Sequence, residues 1–214
     1  MTTPSIRRPD WLQSPAERGV DDLRIAGRSV MERWEQPYMD ELAAIVTANA
    51  GDILEVGYGM GISTSAVQAA EPASHTILEC HPDVARRCVD DHGDAMRTGR
   101  LRLLTGFWQD TAPLLREGLF DGILFDTYPL DEAEWDGPHL LFFEEARRLL
   151  KPGGVLTYYS DEPHEIEGAH RGALLAAGFR DEDIEWDVVR VEPPPACEYW
   201  DHQTIVAPRV RKSR

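Results

Sequence analysis

Three glycines at alternate positions, Gly57, Gly59 and Gly61, follow directly on the apolar run Ile53–Val56. Glycine serves where a backbone must turn sharply and let a ligand come close. A helical pattern starts at once through Ile62, Ser63, Thr64, Ala66, Val67 and Ala70. Strand, glycine turn and helix in that order either hold a nucleotide-like cofactor or merely join two elements. About twenty residues on, a second strand pattern, His75–Glu79, ends in a carboxylate, where open α/β sheets take ribose hydroxyls. Two further carboxylates stand in unusual settings. Asp126 closes the apolar run Phe120–Phe125, where an ionised group faces desolvation without a partner; it is either reactive or a helix N-cap. Glu35 lies between Trp34 and Pro37 in a stretch rich in large side chains.

The glycine spacing narrows the cofactor. The third glycine comes one residue too early for the Gly-x-Gly-x-x-Gly turn of dinucleotide enzymes. An acidic residue before the glycines, Glu55, and a second one ending the next strand, Glu79, form the pattern of S-adenosylmethionine methyltransferases, and that cofactor is favoured. Phe107 and Trp108 follow the third strand pattern. They either sandwich an adenine or, for Trp108, fill the core.

The elements that must position these groups alternate along the chain. Strand patterns at Leu101–Thr105, Phe120–Asp126 and Val155–Tyr159 follow the two already named. Helical spacing from Pro37, over His139–Leu150, and over Glu167–Ala177 fills the gaps, the last stopped by Gly178. Two late β-rich stretches, Ile184–Val191 and Glu198–Val206, have no strong helix between them and predict an antiparallel hairpin at the sheet edge. Residues 1–20, with prolines at 4, 9 and 15, read as a loosely ordered arm anchored by Trp11. Ligands in such a sheet collect at the carboxyl ends of the strands.

Composition sets outer bounds. A chain of 214 residues, 42% hydrophobic, is one ordinary domain or a domain with a short arm. No apolar run reaches bilayer length, and the polar start Met1–Asp10 is no signal peptide. Cys80, Cys88 and Cys197 suit neither a zinc site nor a disulfide framework, which predicts a reduced, cytoplasmic protein without a metal. A net charge of −16 argues against nucleic acid as a partner and suits a cationic substrate. The expected assembly is a monomer or homodimer.

Six stretches, in the same order, resemble the guanidinoacetate N-methyltransferase family. They are Val30–Met39 with Arg33-Trp34-Glu35-x-Pro37-Tyr38, Leu54–Met60, Ile77–Cys80, Trp108-x-Asp110, Asp121–Leu130 with Asp126-Thr127-Tyr128-Pro129, and Leu149–Tyr158. The glycine loop and His81-Pro82-Asp83 also look like the protein-arginine δ-N-methyltransferases. The resemblance implies an α/β, Rossmann-like class I methyltransferase with a mostly parallel sheet and an antiparallel edge strand. It implies an N-terminal arm or lid over 1–40 and a methyltransferase domain over 41–214. It implies S-adenosyl-L-methionine held by Glu55, Gly57, Tyr58, Gly59, Met60, Gly61, Ile62, Ser63, Glu79, Cys80, His81, Phe107, Trp108, Met31, Met39 and Asp126. Trp11 matches a tryptophan of the family's lid.

Glu35 and Asp126 are then the catalytic pair. Guanidinium is planar, charged to a pKa above about 12, and has no free lone pair for attack. Paired carboxylates grip it and draw its charge toward nitrogens that do not react, and Asp126 takes the proton released on methylation. Tyr128, Ser160, Asp161 and Glu162 complete the expected substrate site. The last three mark a departure, because the family's loop that binds a substrate carboxylate is absent here. Acidic side chains in its place either hold an ammonium or face water. The expected substrate is a small guanidino compound, free L-arginine or guanidinoacetate. Protein arginine and a catalytically silent S-adenosylmethionine-binding protein are the alternatives.

Overall fold

The computed structural model describes residues 6–130, 138–166 and 168–213. It begins with helix α1 (Arg8–Gln13), strands β1 (Ala16–Arg18), β2 (Asp22–Ile25) and β3 (Arg28–Glu32), and helix α2 (Gln36–Thr47). Strand β4 (Asp52–Val56), helix α3 (Ile62–Ala69), strand β5 (Ser74–Glu79), helix α4 (Pro82–Arg97) and strand β6 (Leu101–Thr105) follow. Next come α5 (Trp108–Thr111), β7 (Phe120–Phe125), α6 (Pro138–Leu149), β8 (Leu150–Tyr158), α7 (Gly168–Ala176), β9 (Ile184–Arg190) and β10 (Thr204–Arg211).

The main sheet runs β6-β5-β4-β7-β8-β10-β9. Its first five strands are parallel, and β10 lies antiparallel between β8 and β9. This is the Rossmann-like class I methyltransferase architecture. The order reverses at β4, so the carboxyl ends of β4, β5, β6, β7 and β8 share one edge of the sheet, where ligands bind in such folds. Central strands buried on both faces read as continuous apolar runs, which is why they were legible. On one face α2 buries Tyr38, Met39, Leu42, Ala43, Ile45 and Val46 at helical spacing. The other face packs Phe142, Phe143, Ala146 and Leu149 of α6 onto Phe125, Leu156 and Tyr158.

Three boundaries differ from the sequence reading. Within residues 1–20, everything from Arg8 to Arg18 except the short link 14–15 is helix or strand, and β1-β2-β3 form a small antiparallel sheet. Its tight turn is Ala26-Gly27, both at positive φ (53 and 72), the geometry a two-residue hairpin needs. The last strand is Thr204–Arg211 rather than Glu198–Val206. Pro193, Pro194 and Pro195 have no amide to give a ladder, and the chain after them crosses the sheet end as a loop. Strand β8 starts at Leu150, so Pro152-Gly153-Gly154 lie inside it, beside a register shift opposite Phe120–Gly122. The expected helix start Glu167 lies outside the described residues. Among those residues no helix is long and apolar enough to cross a membrane, and none of their side chains cluster as a metal site.

Candidate active site

The turn after β4 is built by its glycines. Gly57, Gly59 and Gly61 all have positive φ, of 94, 52 and 74. A Cβ on Gly57 would lie 1.8 Å from the carbonyl oxygen of Asp126, so the loop and the end of β7 touch backbone to backbone. On Gly61 it would strike the Tyr58 ring, 2.5 Å from the hydroxyl oxygen.

Behind this loop the fully buried Glu55 accepts hydrogen bonds from Ser63 Oγ (2.5 Å) and Thr64 Oγ1 (2.7 Å), with His75 Nε2 at 2.9 Å. Glu55, Ser63 and Ile62 therefore brace the loop from within and do not line a cavity. Tyr58 gives its hydroxyl to Asp91 (2.9 Å), and Met60 gives its amide to Met31 Sδ (3.2 Å). The side chain of Met39 is wholly buried among core residues of α2. Met39, Glu55, Tyr58, Met60, Gly61, Ile62 and Ser63 lie behind the cavity wall rather than on it.

An open cavity lies at this end of the sheet. Gly57, Gly59, Glu79, Cys80, His81, Phe107, Trp108, Met31, Trp11 and Asp126 line it, together with Leu78, Val84, Gly106 and Gln109. Glu79 accepts the amides of Tyr58 (Oε2, 2.9 Å) and His81 (Oε1, 2.7 Å). Each oxygen keeps a lone pair for a hydroxyl. Burial pushes the Glu79 carboxyl up, and the two amide hydrogen bonds pull it back. Burial, then the Glu79 charge, push the neighbouring Cys80 thiol up to about 12, which leaves it an uncharged wall residue. Trp108 has two sets of surroundings. It lines the cavity and packs edge-on against Phe125 and Phe142, at 5.8 and 5.2 Å. Trp11 closes the opposite side, stacked on Tyr128 (5.2 Å, 14°) and edge-on to His81 (6.2 Å).

A second open cavity adjoins the first. Val30, Asp126, Thr127 and Tyr128 belong to the walls of both. Glu35, Asp161, Tyr159, Arg28, Glu198 and Tyr199 line the second cavity alone. Glu35 ends a single 3₁₀ turn (Arg33–Glu35), where its Oε1 accepts the Glu32 amide at 2.7 Å. The same oxygen accepts the Tyr199 hydroxyl at 2.6 Å. Burial, and after it the Asp126 charge, push the Glu35 carboxyl up to about 8, although both hydrogen bonds oppose the rise. Burial, then the charges of Asp161 and Glu55, push Asp126 up to about 7. Desolvation raises both carboxyls, and a bound cation would favour their ionised forms.

The loop after β8 splits the three acidic-loop candidates. Asp161 lines the cavity. Ser160 is buried and gives its hydroxyl to the Val206 carbonyl (2.7 Å), and Glu162 turns to His170 Nε2 (3.4 Å). Neither Ser160 nor Glu162 lines this cavity, and Asp161 between them takes a left-handed φ of 56. Sequence reasoning missed Tyr199 and Glu198, whose loop is placed only by the β9–β10 hairpin, and Arg28, next to the tight turn.

The model of a family described as guanidinoacetate N-methyltransferase matches residues 6–213. A protein arginine N-methyltransferase 2 of Aspergillus oryzae is 32% identical over 212 residues, 94% of this chain and 49% of its own. One of Yarrowia lipolytica is 34% identical over 139 residues, 61% of this chain and 28% of its own. The chain thus spans half or less of these curated relatives. Among solved structures, spermidine synthase from Thermotoga maritima superposes with a TM-score of 0.65 at 16% identity, over 90% of this chain and 65% of that one. An O-methyltransferase from Bacillus cereus does so with a TM-score of 0.56 at 18% identity, over 81% and 80%. At those identities the likeness is one of fold.

Proposed function

Since this chain belongs to the guanidinoacetate N-methyltransferase family, we propose that it methylates a guanidino nitrogen of a small molecule. The cofactor is S-adenosyl-L-methionine, and the first cavity suits it. Two glycines permit close approach, Glu79 offers free lone pairs at a strand end, and aromatic walls flank the space. When bound, that cofactor supplies a methyl group activated by a sulfonium sulfur.

The residues of this chain do the rest. Glu35 and Asp126 bind the guanidinium, each able to take two of its N–H groups. Glu35 holds the positive charge on nitrogens that do not react, and Asp126 faces the nitrogen that does. Asp126, which borders both cavities, accepts the proton that the methylated nitrogen sheds. A carboxyl near about 7 is matched to that task at neutral pH. Trp11 and Tyr128 keep water from the junction.

The observation that carries this reading is Asp126 on the wall shared by the two cavities, with Glu35 on the substrate side. Free L-arginine and guanidinoacetate are the leading substrates. Protein arginine is a second reading, favoured by the names of the relatives. The test incubates the protein and S-adenosylmethionine with guanidino compounds and an arginine-bearing peptide, read by mass. A one-methyl gain on a small guanidine is expected. Modification of the peptide alone favours the second reading, and no product despite tight cofactor binding makes the chain a silent binder.

A further inference from the structure

Asp161 is held between two clamps. On one side the Ser160 amide donates to the Tyr38 hydroxyl (3.2 Å) and Ser160 Oγ to the Val206 carbonyl (2.7 Å). On the other, the Glu162 amide donates to Ser160 Oγ (3.2 Å), and the Val206 amide donates to the Glu162 carbonyl (2.8 Å). Between them Asp161 takes φ = 56, a left-handed conformation that costs a non-glycine residue of order 1 kcal/mol or more. The clamped backbone presents its carboxylate to the cavity that also contains Glu35 and Asp126.

Charge counting gives this placement a meaning. One guanidinium satisfies the pair Glu35 and Asp126. Among the described residues nothing donates a hydrogen bond to the Asp161 carboxylate, which stands exposed on the wall of the open cavity. At neutral pH it is ionised. A cation arriving with the substrate supplies the missing partner.

We propose that Asp161 binds a second cationic group of the substrate, a primary ammonium joined to the guanidine by a flexible chain. The proposal rests on the guanidino-methyltransferase reading and narrows its substrate class to amine-bearing guanidines. Glu162, paired with His170, takes no part.

Four probes separate the possibilities. L-arginine and agmatine carry the amine, the second without a carboxylate. Nα-acetyl-L-arginine has the amine blocked, and guanidinoacetate has none. Wild type is expected to use L-arginine or agmatine with a kcat/KM at least about tenfold above the other two, the worth of one charged hydrogen bond. Asp161→Asn keeps the left-handed backbone, which asparagine tolerates. It is expected to erase that preference. Asp161→Gly, equally at ease at positive φ, gives a second reading of the same loss. A wild type that prefers the acetylated or amine-free compound, or variants that keep the amine preference, overturn this proposal alone. A wild type that methylates none of the four sinks the guanidino reading and this proposal with it.

Discussion

The Tyr199 hydroxyl donates a 2.6 Å hydrogen bond to Oε1 of Glu35, joining residues 164 positions apart. Its ring also packs against Trp34 at 5.8 Å, so the loop between β9 and β10 is tied to the turn that carries the carboxylate. The bond favours the ionised form of Glu35 against a burial that disfavours it. Removing it raises the carboxyl's pKa further. Tyr199→Phe should therefore move the rising limb of the kcat/KM profile to higher pH, with about a tenfold loss near neutrality. A profile that stays in place would show that Tyr199 only closes the cavity.

Asp126→Asn preserves shape and removes the proton acceptor. Turnover should fall about a hundredfold or more, the usual worth of a general base. Affinity for S-adenosylmethionine, measured by calorimetry, should change little, because Glu79 and the glycine loop are untouched. Near-normal turnover with every guanidino substrate would remove Asp126 from the role.

What the sequence disclosed and what it hid follow from the range of the forces involved. The parallel strands announce themselves because burial on both faces makes them continuous apolar runs. Gly57, Glu79 and Asp126 were legible because each sits at a strand end, where the fold itself collects ligands. Contacts one residue off such a motif were not. Whether Ser160, Asp161 or Glu162 faces the cavity depends on one left-handed φ at Asp161, which local propensity does not encode. Side-chain packing was equally hidden: α2 turns Met39 into the core, and Glu55 holds Ser63. The helix and the strand up to Arg18 are too short to show periodicity and are held by tertiary contacts, such as Trp11 on Tyr128 and Ala16 on Asp83. Tyr199 could be found only after the hairpin had brought its loop across the sheet.

Glu79 has two jobs that a single variant can separate. Its carboxylate holds the amides of Tyr58 and His81 and, in the proposed complex, the ribose hydroxyls. Glu79→Gln leaves one acceptor oxygen, so one buried amide faces an NH₂ group. S-adenosylmethionine affinity should weaken by about 1.5–3 kcal/mol, and the ligand-free Tm should also fall. A lowered Tm with unchanged affinity in calorimetry would confine Glu79 to holding the backbone.

The carboxyls of the second cavity also set how the ligand-free protein responds to pH. Glu35 is raised from 4.5 to about 8 and Asp126 from 3.8 to about 7. Between the ordinary carboxyl range and these values, the folded state keeps protons that the unfolded chain has released. Stability from these groups is therefore fully present below the ordinary carboxyl range and is lost as pH rises through the window from about 7 to about 8. A cationic substrate reverses the sign, since it needs the carboxylates ionised and then neutralises them. The Tm of the ligand-free protein should fall between about pH 5 and about pH 8.5, and the stabilisation given by a guanidino substrate should grow over the same range. Glu35→Gln combined with Asp126→Asn should flatten both trends. Thermal scans at several pH values, with and without substrate, measure them. A wild-type Tm that rises through the window as steeply as that of the double variant would show that these carboxyls are ionised and solvated in the folded protein, and would remove the electrostatic basis of cation binding at this site.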